Sequence, residues 1–340
     1  MLKKILFALP ALIYITVVKI RHKLFDWGVL SSRTFITPTI CVGNITVGGS
    51  GKTPIVELLI EELSKEYSVA LLSRGYGRAT RGYVEASVES DYLDVGDEPL
   101  QIKRKFPHSR VVVCERRVKA IEQIERMTPK VDLIVMDDGF QHRYVQPAFN
   151  IVVIDSTRPV AEDFPMPMGS LRDCRSALKR ADLFVVTKCS PKLSHQERDQ
   201  FRASLSRYGS QPVVFTRIAN GTPLSVFGGS QLSNSARLRV VALSGIGNPA
   251  PFVEKLQGRY NVVEVLSYAD HYSYRDRDLA RLERLIDDDT VIVTTEKDSV
   301  KFLTISGLSE LIRSRLYYLP MSMELIEGGS IVDHARSIGL

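Results

Sequence analysis

Glycines followed by a lysine and a threonine stand after a short apolar segment early in the chain. The segment 39–42 is typical of a buried strand, and helical periodicity begins near Pro54. In a strand, loop and helix arrangement, glycine backbone amides and the helix N-terminus bind phosphate, a lysine reaches the outer phosphates and a threonine ligates magnesium. The pattern predicts a nucleotide phosphate site formed by Thr46, Gly48, Gly49, Ser50, Gly51, Lys52 and Thr53.

One position of this loop departs from the general phosphate-loop pattern. That pattern has glycine four residues before the Gly-Lys pair, where this chain has Thr46. Gly48 and Gly49 supply the backbone freedom instead. An unoccupied glycine turn remains the alternative.

Carboxylates at the end of a second apolar strand would complete such a site. The segment 131–136 is apolar apart from Asp132, and it ends in Asp137 and Asp138. Adjacent carboxylates are costly to bury unless a cation balances them, so both are candidate magnesium ligands together with Thr53. A solvated strand-end cap is the alternative. Lys188 suggests the base-reading loop of GTPases, but Ser190 stands where that motif needs aspartate, which argues against guanine specificity.

The elements that must position these residues alternate along the chain. Strand candidates occur at 69–72, 110–113, 133–136, 151–154 and 183–186, with helical stretches between several of them. This alternation predicts an α/β fold, with a mainly parallel sheet covered by helices on both faces, like a P-loop NTPase. A second series at 240–244, 262–266 and 291–294 predicts a smaller α/β domain.

The domain boundaries follow from these series and from composition. We expect a first domain that carries the phosphate loop over 29–219, a linker rich in glycine, serine and asparagine over 220–237, and a second domain over 238–320. Residues 321–340 form a C-terminal segment that can return to the first domain.

The N-terminal residues 1–28 raise the question of a membrane. No residue from Ile5 to Val18 is charged, and this run is shorter than the roughly 20 residues that span a bilayer as a helix. Basic residues flank it: Lys3, Lys4, Lys19, Arg21 and Lys23. The small-x-small cleavage site of a signal peptide is missing, which argues against cleavage. A helix packed on the protein's own core remains an open alternative. We favour a membrane-interfacial helix with Trp27 near the boundary.

Composition excludes several classes of protein. The chain has 340 residues, a net charge of +6 and 44% hydrophobic residues, which is typical of a globular protein with an anionic partner. Its basic residues are dispersed, which argues against nucleic-acid binding. The cysteines lie far apart, without zinc-ligand pairs, and fit a reducing cytoplasm: Cys41, Cys114, Cys174 and Cys189.

Several further motifs identify a family when they are taken together in chain order. They are the loop 44–54, Ser-Arg-Gly-Tyr-Gly-Arg at 73–78, Val-Gly-Asp-Glu-Pro at 95–99, Asp-Asp-Gly-Phe-Gln-His at 137–142, Gly-Ile-Gly-Asn-Pro at 245–249, Asp-His-Tyr at 270–272 and Thr-Glu-Lys-Asp at 295–298. The series resembles the tetraacyldisaccharide 4'-kinase family of lipid A biosynthesis over nearly the whole chain. Thr46 looks like that family's own variant of the loop.

This resemblance implies an activity and roles for two residues. The implied reaction transfers the γ-phosphoryl group of ATP, with Mg²⁺, to the 4'-hydroxyl of a tetraacylated glucosamine disaccharide 1-phosphate, giving lipid IVA. By the same resemblance Asp97 would accept the hydroxyl's proton, and His271 from the second domain would act with it as a dyad. A turn or cap for Asp97 and a surface position for His271 are the alternatives. A catalytic pair divided between two domains would require the domains to close over ATP before the reaction.

The resemblance also implies substrate contacts and a location. The residues are Arg74, Tyr76, Arg117, Gln141, His142, Arg172 and Asp173. Asp173 stands where glutamate is frequent in the family, and Glu115-Arg116 before Arg117 is also unusual, which weakens the transfer of roles at these places. A four-chain lipid stays in the bilayer, so the enzyme would work at the cytoplasmic face of the bacterial inner membrane, as a peripheral or monotopic protein. No protein partner is implied.

Two other functions compete with this one. A regulatory P-loop ATPase or GTPase that switches on a protein partner would hydrolyse nucleotide regardless of lipid. A kinase of a soluble small molecule fits poorly with the apolar N-terminus. Neither accounts for the full motif series.

Overall fold

The computed structural model describes residues 2–337, with side chains from 7 to 337. Met1 and the side chains of Lys3 and Lys4, which belong to the predicted interfacial segment, lie outside the described residues. So do residues 338–340 of the predicted C-terminal segment.

Strands and helices alternate along most of the described chain. The strands are β1 (Thr39–Gly43), β2 (Val69–Ser73), β3 (Val84–Glu85), β4 (Arg110–Val113), β5 (Leu133–Asp137), β6 (Phe149–Asp155), β7 (Leu183–Thr187), β8 (Val213–Asn220), β9 (Leu224–Ser225), β10 (Arg239–Ser244), β11 (Asn261–Ser267), β12 (Thr290–Thr295), β13 (Leu316–Leu319) and β14 (Met321–Glu327). The helices are α1 (Leu2–Asp26), α2 (Lys52–Leu63), α3 (Tyr92–Val95), α4 (Asp97–Lys105), α5 (Arg117–Ile124), α6 (His195–Leu205), α7 (Ala250–Gln257), α8 (Asp276–Leu285), α9 (Glu296–Phe302), α10 (Glu310–Arg315) and α11 (Ile331–Arg336).

The larger sheet brings the phosphate loop and the two aspartates to the same edge. Within residues 2–337 it has nine strands, in the order β14-β8-β7-β6-β1-β5-β2-β4-β3. Its central pairs are parallel, and Val42 at the end of β1 is paired with Asp137 at the end of β5. Because the carboxyl ends of neighbouring parallel strands meet at one edge, the loops after β1 and β5 form a common crevice.

Side chains on alternate positions of the strands face opposite sides of this sheet. In β1, Ile40 and Val42 join a core beneath α2, α4 and α11, whereas Cys41 joins a second core beneath α5. The strands are buried on both faces and therefore read as continuous apolar runs. The predicted P-loop NTPase-like sheet with helices on both faces is confirmed.

The smaller sheet has five strands within the described residues, in the order β11-β10-β12-β13-β9. Its first three pairs are parallel, and β9 joins β13 in the antiparallel direction. Strand β9 lies within 220–237, which composition predicts as a linker. The domain boundaries themselves stay predictions.

The C-terminal residues pack against the larger sheet. Strand β14 pairs with β8 in the antiparallel direction, and Ile331 and Val332 of α11 join the core beneath α2. Between β13 and β14 the chain passes from the smaller sheet back to the larger one.

Helix α1 has a buried side and an exposed side. Ala11, His22 and Phe25 are buried against the rest of the protein. Apolar residues at helical spacing are exposed on the other side: Leu9, Leu12, Ile13, Val17 and Ile20. Among the described residues, no helix combines the length and the apolar character that crossing a membrane requires.

The burial of α11 gives a stability prediction. Replacing Ile331 with alanine removes a side chain that is 3% exposed, so we expect the free energy of unfolding to fall by about 2–5 kcal/mol. Leu325→Ala is the matched control, because Leu325 is 54% exposed and should cost less than about 1 kcal/mol. Urea unfolding followed by circular dichroism measures both. Equal losses would show that α11 is not part of the core.

Candidate active site

The phosphate loop is shaped by two glycines in the left-handed region. Gly48 has φ 88° and Gly51 has φ 86°, conformations that residues with a Cβ rarely adopt. Helix α2 then begins at Lys52, so its N-terminal amides face the crevice. Gly48 and Gly49 are exposed, and nothing would lie within 4 Å of a Cβ at Gly49. The open inner surface of the loop suits a polyphosphate.

Buried polar side chains hold the loop in this shape. The Asn44 Nδ2 donates to Ser50 Oγ at 2.8 Å and to Thr46 Oγ1 at 3.3 Å, and both of these hydroxyl-bearing residues are buried. From the end of β7, which β6 separates from β1, Thr187 Oγ1 donates to Ser50 O at 2.6 Å. Lys188 donates to the carbonyl of Gly49. Asn44, Thr187 and Lys188 were not among the predicted site residues. The sequence marks Asn44 as the start of the motif 44–54 and Lys188 as a GTPase-like lysine, but the contacts of Thr187 and Lys188 with the loop depend on strand order.

Asp138 is held between two cations. Its carboxylate lies 3.3 Å from Lys52 Nζ and receives both guanidinium arms of Arg172, one of them at 2.8 Å. Burial alone would raise the pKa of Asp138, but the Arg172 hydrogen bonds and the Lys52 charge lower it well below its usual range. Arg172 also donates to Asn44 Oδ1, so a single fork fixes both Asp138 and the start of the loop.

Asp137 has a different environment. It is buried at the end of β5 and accepts a hydrogen bond from Ser73 Oγ at 3.2 Å. Burial, followed by the charges of Glu98 and Asp138, raises its pKa to about 7. Carboxylate oxygens, and hydroxyl oxygens such as that of Thr53 in the first turn of α2, are the hard ligands that Mg²⁺ prefers. The residues present therefore fit a magnesium ion, which would relieve the repulsion among these carboxylates.

Asp97 and His271 meet across the two sheets. His271 Nδ1 lies 3.0 Å from Asp97 Oδ1 and 2.9 Å from Oδ2, although 174 positions separate them in the chain. Burial would raise the pKa of Asp97, but the His271 hydrogen bond and the Lys297 charge lower it. Burial would lower the pKa of His271, but Asp97 raises it. His271 has φ 57°, in the left-handed region that residues other than glycine rarely adopt.

Two lysines of α9, the helix that follows β12 of the smaller sheet, contact the same carboxylate. Lys301 is 1% exposed and lies 3.5 Å from Asp97, and Lys297 lies 3.8 Å from it. Lys297 also binds Asp270 at 2.6 Å, which anchors the turn that carries His271. Both lysines were missed as site residues. The Thr-Glu-Lys-Asp motif and the four-residue spacing, which puts both on one helix face, were the available signals.

Three predicted substrate residues face the open side of the crevice. Arg74 is exposed, and Tyr76, 70% exposed, has its ring 5.0 Å from that of His271. Burial and the charges of Arg117, Arg21 and Arg74 lower the pKa of His142 to about 4. His142 is thus neutral at pH 7 in a strongly cationic environment, which suits an anionic ligand.

The other predicted substrate residues are directed at protein partners. Arg117 is buried and donates to the carbonyl oxygens of Cys114 and Asp137. Gln141 donates to Asn44 O at 2.8 Å. Asp173 is completely buried and lies 2.6 Å from His22 of α1. These residues support the site from behind, and the structure does not bring them to the ligand side of the loop.

The raised pKa of Asp137 predicts a pH dependence of metal affinity. When the pH is below its pKa of about 7, the Asp137 carboxyl must lose a proton before it binds Mg²⁺. We expect the affinity for Mg²⁺, measured by calorimetry without nucleotide because the phosphates of ATP titrate in the same range, to rise by up to about tenfold per pH unit below pH 7 and to level off above it. Asp137→Asn should abolish this dependence, whereas the exposed Asp199→Asn should retain it. A flat profile for the parent protein would contradict the assignment.

Known proteins resemble this chain over nearly its full length. A family model described as tetraacyldisaccharide-1-P 4'-kinase matches residues 3–335. The tetraacyldisaccharide 4'-kinase of Bacteroides fragilis is 37% identical over 322 residues, covering 91% of this chain and 86% of that one. The enzyme of the same name from Flavobacterium johnsoniae is 38% identical over 329 residues, covering 96% and 94%.

A solved structure agrees with these matches. The crystal structure of LpxK from Aquifex aeolicus in complex with ATP has a TM-score of 0.77 and 27% sequence identity, and the match covers 99% of each chain. The family resemblance predicted from the motifs is confirmed: this chain belongs to the tetraacyldisaccharide-1-P 4'-kinase family.

Proposed function

We propose that this protein, as an ATP-dependent kinase of its family, phosphorylates the 4'-hydroxyl of a tetraacylated glucosamine disaccharide 1-phosphate to give lipid IVA. The contact between Asp97 and His271 is the observation that carries this proposal, and the charge of Glu98, next to Asp97, acts on Asp137 at the end of β5. In the proposed complex this pair supplies a base for the attacking hydroxyl of the substrate. A switch that only hydrolyses nucleotide does not need a base formed by residues from two sheets.

In the proposed reaction, the sugar hydroxyl attacks the γ-phosphorus of ATP. A new P–O bond forms, the bond to the β-phosphate oxygen breaks and ADP leaves. The proton of the hydroxyl passes to the carboxylate of Asp97, which accepts a hydrogen bond from His271 Nδ1 before the transfer. The His271 hydrogen bond, followed by the charges of Lys297 and Lys301, keeps Asp97 ionised before the transfer, so that its carboxylate is free to accept a proton.

The phosphate loop orients the nucleotide in this scheme. Backbone amides from Gly48 to Thr53 bind the phosphates, and Lys52 moves from Asp138 to the β- and γ-phosphate oxygens. The buried side chains of Thr46 and Ser50 keep the loop open. Arg74, Tyr76 and His142 contact the substrate on the open side, where the surrounding cations favour a phosphorylated sugar.

We assign direct metal binding to Thr53 and Asp137. Asp138 is already paired with Arg172 and Lys52, whereas the pKa of Asp137 is raised by burial and neighbouring carboxylates. A bound Mg²⁺ supplies neutralisation of the charge on the β- and γ-phosphates. Glu98, the neighbour of Asp97, is the carboxylate whose charge raises the pKa of Asp137 most.

The exposed side of α1 supports action at the cytoplasmic surface of the inner membrane. Its apolar stripe, represented by Leu9, Leu12 and Val17, is 60–66% exposed, and Trp27 is 71% exposed. A helix that buries such a stripe in the headgroup region brings the crevice to a lipid that cannot leave the bilayer.

The activity can be tested by label transfer. We expect the parent protein to move radiolabel from γ-labelled ATP to a tetraacyldisaccharide 1-phosphate in mixed micelles. Lys52→Ala and Asp97→Asn should lower kcat at least about a hundredfold, because each removes a group that acts at the reacting phosphate. The exposed Asp199→Asn is the control. Free phosphate without labelled lipid would identify an ATPase switch instead.

The Asp97–His271 pair also predicts the shape of the pH profile. A protonated His271 weakens Asp97 as a base, and the pKa of His271 is raised above its ordinary value of 6.5, so kcat/KM should rise with pH through a midpoint above 6.5. His271→Gln should lower the rate and remove this limb. A limb that persists unchanged in the variant would assign it to another group.

The apolar stripe of α1 predicts membrane affinity. Replacing Leu9 and Leu12 together with serine should reduce co-sedimentation with anionic phospholipid vesicles by about tenfold or more, because two large exposed apolar side chains are lost. Affinity for ATP should change little. Vesicle binding equal to that of the parent protein would rule out this face as the contact.

A further inference from the structure

Three polar side chains of α1 contact two short segments beside the phosphate loop, residues 141–143 and 172–173. Tyr14 Oη donates to Arg172 O at 2.8 Å. Arg21 Nη1 donates to Gln141 O at 3.0 Å. His22 Nε2 lies 2.6 Å from Asp173 Oδ1. The buried side of α1 is therefore bound by specific polar contacts, and not by apolar packing alone.

The His22 contact is enclosed on several sides. His22 is 9% exposed and Asp173 is 0% exposed. Arg143 Nη1 lies 3.1 Å from the other ring nitrogen and donates to His22 O at 3.0 Å, while its second arm binds Asp26 at 2.9 Å. A helix attached only for membrane binding would not need a buried ion pair at this position.

The two contacted segments reach the nucleotide site directly. Gln141 Nε2 donates to Asn44 O at 2.8 Å and to Asp173 Oδ2 at 3.3 Å. Arg172 donates to Asp138 and to Asn44 Oδ1. Asn44 in turn donates to Ser50 in the phosphate loop. One layer of side chains thus separates α1 from the loop and from the carboxylate that holds Lys52.

We propose that α1 is a positioning element of the nucleotide site, in which Tyr14 and His22 fix the backbone that carries Arg172 and Asp173. A guanidinium fork binds a carboxylate only when its own backbone is fixed, so release of α1 would loosen Asp138 and Asn44 together. The inference rests on the proposed function, since it assumes that the loop binds Mg·ATP. It gives α1 two roles, lipid on its exposed side and nucleotide geometry on its buried side.

Nucleotide affinity tests the proposal without reference to lipid. Binding of a fluorescent ATP analogue with Mg²⁺ would be measured for full-length Tyr14→Phe, His22→Ala and His22→Gln. Tyr14→Phe keeps the ring and removes one hydrogen bond, so we expect a loss of a few-fold in affinity, and about tenfold for His22→Ala. His22→Gln keeps a donor toward Asp173 and should recover part of the loss.

The matched control is Thr16→Ala, on the exposed side of the same helix, which should bind nucleotide like the parent protein. Circular dichroism establishes that each variant is folded, and co-sedimentation with anionic vesicles should be unchanged for Tyr14→Phe. Parent-like nucleotide affinity in folded Tyr14→Phe and His22→Ala would overturn the proposal and leave α1 as an attachment alone.

Failure of the proposed function gives a different result. A parent protein that binds the analogue but labels no lipid would refute the kinase assignment, while the comparison of nucleotide affinities would still test α1.

Discussion

The contact between Asp97 and His271 is the interaction on which the functional interpretation of the fold depends. Asp97 begins α4 beside the larger sheet, and His271 lies after β11 of the smaller one, so the pair exists only while the two sheets keep their relative position. A second polar link supports that position. Lys105 of α4 binds Glu57 of α2 at 2.8 Å and Glu296 of α9 at 3.0 Å, joining the phosphate-loop helix to the second domain.

Charge is distributed in the crevice so that each carboxylate has a distinct environment. Asp97 is paired with His271 and two lysines, and Asp138 with Arg172 and Lys52. Both have lowered pKa values, because the cations outweigh the effect of burial. Asp137 has no comparable pairing among the described residues, and its pKa is raised. These different environments indicate different tasks for Asp97, Asp137 and Asp138, which the sequence alone does not distinguish.

Helix α1 shows how one element can serve two surroundings. Its exposed side is apolar at helical spacing, and its buried side places Tyr14 and His22 on the backbone behind the phosphate loop. The sequence alternative of a helix packed on the protein accounts for the buried side, and the proposed membrane contact depends on the exposed side. The basic residue Arg21, counted from the sequence as a lipid contact, donates instead to Gln141 O.

The sequence by itself determined the family, the phosphate loop and the parallel sheet, because these depend on local patterns: glycines at 48 and 51, apolar runs buried on both faces, and motifs in a fixed order. Proximity across long separations was decided by the tertiary structure. Lys301 and Asp97, or His22 and Asp173, carry no local signal that they meet. The same holds for Arg117, Gln141 and Asp173, whose residue types suit a ligand equally well. Only the packing of neighbouring elements directs their side chains to protein carbonyls and carboxylates, since a hydrogen-bonding group is satisfied by whichever partner the fold places within reach.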